Sequence, residues 1–93
     1  MNRKEKIKDT IIFMIDTGAN RTCIEEQVSG KRFYTEQRLK SMLELDDVPL
    51  QQEVAECIDE LIRDDKVVSD NNFLIVTEFM PRTASKITGK NYR

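Results

Sequence analysis

Residues Pro49 to Thr77 constrain the fold more than any other stretch of this chain. From Pro49 to Arg63, apolar residues Leu50, Val54, Cys57, Ile58, Leu61 and Ile62 recur at the spacing of one helix face. The opposite face carries Gln52, Glu56, Asp59, Glu60 and Arg63. Asp64-Asp65 ends the periodic run, and Val67-Val68 opens a strand. Asp70-Asn71-Asn72 suits a tight turn, because Asn tolerates left-handed backbone. Phe73 to Thr77 is β-branched and aromatic enough for the returning strand. The spacing therefore predicts a helix over 49–64 that runs straight into a hairpin. Val54, Ile58 and Leu61 are expected in the core.

Upstream, Ile7, Ile11, Met14 and Ile15 fall at helical spacing and predict an amphipathic helix over 3–17. Asn2 with Glu5 resembles a capping box, and Gly18 suits the residue after a helix end. Ile12 and Phe13 widen the apolar face, so this helix is expected to be largely buried or to pack on a second copy, making a homodimer. Thr22 and Glu25 repeat the capping logic and predict a short helix over 23–29, ending at Gly30. Lys31 to Tyr34 suits a brief strand. Thr35 is expected to cap a third helix over 36–45, with Leu39, Met42 and Leu43 inward. Asp46 to Pro49 reads as a turn, with Pro near the first position of the next helix. After Pro81 the chain is rich in Arg, Thr, Ser, Lys and Gly, which predicts a flexible basic tail over 81–93 behind a folded domain over 1–80.

Ninety-three residues is one domain's length. No run of about 18 apolar residues exists, so no membrane span is expected. The start is basic, but the stretch after it is interrupted by Lys8, Asp9 and Asp16 and lacks a clean apolar region, which makes a poor signal peptide. Cys23 and Cys57 read as two reduced thiols, which points to a cytoplasmic location. The chain holds no histidine, and zinc needs about four ligands. No metal site, P-loop, dinucleotide fingerprint or nucleophilic triad is present, so the expectation is no cofactor and no enzyme activity.

The net charge is −2, but the charges are unevenly placed. Residues 44–65 carry −8, residues 31–43 carry +3, and residues 81–93 carry +4.

The order helix, short helix, helix–turn–helix, hairpin over residues 4–78 resembles the winged helix-turn-helix superfamily. The likeness is best over Glu36–Val68, where Leu61-Ile62-Arg63-Asp64-Asp65-Lys66-Val67-Val68 resembles the family's usual passage from helix into wing. Two features depart from the pattern: Asp65 stands where a glycine often precedes the wing strand, and the turn between the third and fourth helices is long. The resemblance implies a mainly α domain with a small hairpin, acting as a DNA-binding regulator of transcription or a nucleic-acid accessory factor. It implies that the fourth helix lies in the major groove and the wing on the backbone. The reading face would then be Gln51, Gln52, Glu56, Asp59 and Arg63, of which Gln suits adenine and Glu suits cytosine.

The outer face of this helix, with Glu56, Asp59 and Glu60 against Arg63, is a poor match for phosphate, whose neutralisation supplies most of the affinity for a duplex. Two other arrangements address that conflict. Lys31, Arg32, Arg38 and Lys40, with Arg82, Lys86, Lys90 and Arg93 of the tail, offer cations that can grip phosphates or enter the minor groove. Alternatively, Glu53, Glu56, Asp59 and Glu60 form a face for a protein partner, as in an inhibitor that mimics phosphate charge; a solvated face that contacts nothing is the simplest reading. Asp16-Thr17-Gly18-Ala19 also resembles the catalytic loop of retroviral-type aspartic proteases, and Ile87-Thr88-Gly89-Lys90-Asn91 faintly their later glycine motif. That family implies a dyad of two Asp16 carboxylates across a dimer. No glycine lies between Gly30 and Gly89 to build a flap, and residues 49–64 have a helical period where strands are needed. Asp16 is accordingly expected to be a plain helix exit.

Overall fold

The computed structural model describes residues 2–15 and 18–79. Asp16 and the predicted 81–93 tail, with Arg82, Lys86 and Lys90, lie outside them. Four helices, α1 (Arg3–Ile15), α2 (Arg21–Val28), α3 (Glu36–Leu43) and α4 (Gln51–Arg63), accompany three short strands. The strands are β1 (Ala19–Asn20), β2 (Val67–Asp70) and β3 (Phe73–Val76), in an antiparallel sheet ordered β1-β3-β2. A single 3-10 turn, Thr77–Phe79, follows.

One core holds these elements together. α1 supplies Ile7, Ile11 and Ile15, α2 supplies Ile24 and Val28, and α3 supplies Leu39 and Leu43. α4 supplies Val54, Cys57, Ile58 and Leu61, and the sheet supplies Val67, Leu74 and Val76. Burial of apolar area on this scale is the main force holding so short a chain folded. α4 lies at the centre and packs on α1, α2 and β2, whereas α3 packs mainly on α1. The long segment between α2 and α4 therefore carries α3 to the edge of the bundle.

The helix ends follow local chemistry. Asn2 and Glu5 form the reciprocal capping box: the Glu5 amide donates to Asn2 Oδ1 (2.9 Å), and the Asn2 amide donates to Glu5 Oε1 (3.2 Å). α2 begins two residues before its expected start at Cys23, because Asn20 and not Thr22 caps it, accepting from the Cys23 amide (3.2 Å). α2 ends in a Schellman motif, with Gly30 at φ 83° and the Lys31 amide donating to the Glu26 carbonyl (2.8 Å). α3 and α4 stop in the same way without glycine. Glu44 (φ 58°) and Asp65 (φ 61°) occupy the left-handed position, and the next amides donate back five residues, Leu45 to Lys40 and Lys66 to Leu61. Asp65 thus does the geometric task that glycine does more cheaply.

Four expectations need correction. Leu50 is not a core residue. It is the N-cap of α4 in extended backbone (φ −71°, ψ 152°) and stays 76% exposed, because the helical period does not extend to a non-helical residue. Lys31–Tyr34 is not a strand: Phe33 has φ 71°, and the Tyr34 amide donates to the Arg32 carbonyl (2.8 Å), which bends the chain sharply. Phe13 points outward at 74% exposure instead of widening a buried face. Finally, β1 adds a strand beside the hairpin, with Ala19 opposite Leu74 and Asn20 opposite Phe73. Gly18 permits that approach, since a Cβ there would lie 2.6 Å from the Phe73 ring. The hairpin itself is as expected: Asn71 (φ 50°) and Asn72 (φ 66°) make a two-residue turn with positive φ at both positions.

Candidate functional site

Among the four acids expected to form a protein-binding face, three are engaged inside the fold. Glu53 receives Arg3 through Nε (2.7 Å) and Nη2 (3.1 Å), and Arg3 Nη1 also reaches Asp47 (2.6 Å). Glu60 is held by Lys4 and Lys8, each at 2.8 Å. Asp59 is met by Arg21 Nη2 (2.8 Å), while Arg21 Nε pairs with Glu25 (2.9 Å). Arg21 also donates to the Ala55 carbonyl (3.2 Å), which pins α2 to α4. Glu56 alone of the four has no ion pair among the described residues.

These pairings move the titrations in the expected sense. Hydrogen bonds from Arg3 hold the Glu53 and Asp47 carboxyls below the usual carboxylate range and raise Arg3 in return. Hydrogen bonds from Lys4 and Lys8 bring Glu60 down to about 2. Arg21 is raised in spite of its burial, by its bonds to Glu25 and Asp59. The Cys57 thiol is pushed up by burial, which suits an inert core group.

The expected nucleic-acid contacts divide into two sets. On α4, Gln51 is tied at both ends of its amide: Lys31 Nζ donates to its Oε1 (2.8 Å), and its Nε2 donates to Glu25 (3.2 Å). Gln52 and Arg63 are exposed, but Glu56 and Asp59 stand exposed between them on the same stripe. The helix that the winged-helix likeness would place in the groove therefore shows the solvent an acidic centre.

The second set lies on the loop before α3 and on α3 itself. Arg32 Nε pairs with Glu26 (2.8 Å), and its guanidinium carbon lies 5.8 Å from the Phe33 ring centroid. Thr35 caps α3 by accepting from the Arg38 amide (3.2 Å). The Arg38 side chain is exposed and has no ion-pair partner among the described residues. Lys40 reaches Glu36 only at 4.0 Å. Thr35, Gln37, Arg38, Ser41 and Met42 line a shallow open groove along α3. Met42 also borders a second cleft with Asp9, Thr10 and Phe13. Arg38 thus shares the α3 groove with Gln37 and Ser41, Lys40 lies on another side of α3, and Arg32 sits by an aromatic tip, Phe33, in the preceding loop. The charge run 31–43 marks the cations, but no periodic signal marks Phe33.

Among the described residues no helix is long and apolar enough to cross a membrane. Comparison with protein-family models, with curated proteins and with solved structures finds no match.

Proposed function

We propose that this chain is a winged helix-turn-helix-type domain that binds nucleic acid, as a DNA-binding regulator or accessory factor. The passage of α4 directly into β2 and the sheet order β1-β3-β2 support that fold reading. The contact surface is the loop 31–34 with α3, and not α4. One observation carries this choice. Arg3, Lys4 and Lys8 of α1 and Arg21 of α2 are occupied by α4 acids, while Lys31, Arg32 and Arg38 are exposed in a segment of net +3, and Arg38 has no ion-pair partner among the described residues. Internal pairing weakens the field that α4 would otherwise set against phosphate. Arg38, Gln37 and Ser41 share a side of α3 and offer donors of the kind that position a backbone.

Titration of a labelled duplex or single strand over a salt series tests the proposal. Reversing Arg38 and Lys40 to Glu should weaken binding and flatten the dependence of log K on log salt by roughly 1 to 2, about one per lost phosphate contact. Glu56→Gln on α4 should change the slope little. An unchanged slope in the reversed variant, or no binding by the parent protein at low salt, would refute the assignment.

A further inference from the structure

We propose that Phe33 is a stacking platform for an unpaired base, so that the preferred ligand is single-stranded nucleic acid. This rests on the nucleic-acid reading above and goes beyond the duplex contact that a winged helix implies. Phe33 is the most exposed of the large apolar side chains among the described residues, at 79%. Isolated exposed aromatics are common and mean little by themselves. Phe33 differs in how it is held. Its φ of 71° and the bond from the Tyr34 amide to the Arg32 carbonyl make a γ-turn with a left-handed central residue. That turn is rare and strained, and a bulky side chain at its tip is an outlier. Glycine or asparagine would occupy the position at lower cost.

The loop is anchored on both sides of that tip. The Lys31 amide closes the end of α2, and its Nζ donates to Gln51 of α4. Arg32 is fixed to Glu26, and Thr35 caps α3. The ring is consequently presented outward by a braced turn, with little ordering left for a ligand to impose. The Arg32 guanidinium above the ring adds a planar cation, and Lys31 before the tip with Arg38 and Lys40 on the following helix add positive charge to the same segment. A ring beside cations is the arrangement by which proteins hold single strands, and stacking is tolerant of sequence because every base has a π-face. In a duplex the bases are already stacked on each other, so Phe33 would find no partner without unstacking a step.

The chain contains no tryptophan, so Phe33→Trp places a lone reporter at the tip. Emission from that variant and polarisation of labelled oligo-dT, oligo-U and a mixed duplex of equal length test the idea. The expected result is tighter binding of the single strands than of the duplex, with Trp emission quenched by them. Phe33→Ala should lose roughly tenfold or more in affinity for the single strands. Because the ring is exposed, Phe33→Ala should melt no lower than the parent, which separates lost stacking from lost fold. Single-strand affinity unchanged in Phe33→Ala, or tighter duplex binding with emission unmoved, would overturn the platform. If Arg38→Glu still weakened binding in that case, the broader nucleic-acid reading would stand. No binding to any of the three probes would overturn both.

Discussion

Leu61→Ala and Leu50→Ala make the same chemical change near the two ends of α4 and should have opposite consequences. Leu61 is 1% exposed and belongs to the core beside Val54, Cys57 and Ile58, whereas Leu50 is 76% exposed. Truncating Leu61 removes about three carbons from a dry site, a transfer loss of roughly 2.4 kcal/mol at about 0.8 kcal/mol each. The cavity adds to this, and the total should fall in the range of about 3 to 5 kcal/mol. A domain of this size has roughly 5–15 kcal/mol in all. With about 4–8 °C lost per kcal/mol, the melting temperature should fall by roughly 12 °C or more, and the variant comes close to unfolding near body temperature. Leu50→Ala removes atoms already in water and should shift the midpoint by no more than a few degrees. Thermal melts followed by circular dichroism, with urea melts for the free energies, read both. Equal shifts in the two variants, or an unmoved midpoint in Leu61→Ala, would refute the placement of α4 and its boundary at Gln51.

Two further outcomes follow from the helix end and the ion pairs. Leu50 caps α4 without a side-chain hydrogen bond, so Leu50→Ser should stabilise the protein by about 1 kcal/mol, read as a raised midpoint in urea. Glu60, Glu53 and Asp47 are all depressed by their α1 partners, and a depressed carboxylate contributes stability that is complete above its unfolded value. For Glu60 that contribution is lost as pH falls from about 4.5 toward about 2, so the melting temperature should drop across this window, and less steeply in Lys4→Gln/Lys8→Gln.

The parts of the fold legible in the residues are those with a strong local cause. Five apolar positions at helical spacing, Val54 to Ile62, announce α4, two consecutive asparagines announce the hairpin turn, and Gly30 announces the end of α2. Other features had no local signature. β1 is two residues long, too short for any alternation, and exists because Gly18 and the Phe73 ring let the chain approach β3. The left-handed Phe33 contradicts its own propensity, which favours a strand at that point. The largest gap was electrostatic. Arg3, Lys4 and Lys8 lie some 50 residues from Glu53 and Glu60, and only the packing of α1 on α4 makes them partners. Read along the chain, α4 is a run of free acids; in the fold most of that charge is answered. The basic patch before α3 was visible as a charge run, yet its importance depends on this cancellation elsewhere.

The central claim is that nucleic acid meets the loop 31–34 and α3, and not α4. Backbone amide chemical shifts of the isotope-labelled protein, recorded while a short oligonucleotide is added, test it residue by residue. The account predicts that the shifted resonances are those from Lys31 to Ser41, with Phe33 and Arg38 among the largest, while Gln52, Glu56, Asp59 and Arg63 stay in place. Shifts concentrated on those four α4 positions, with residues 31–41 unmoved, would contradict it.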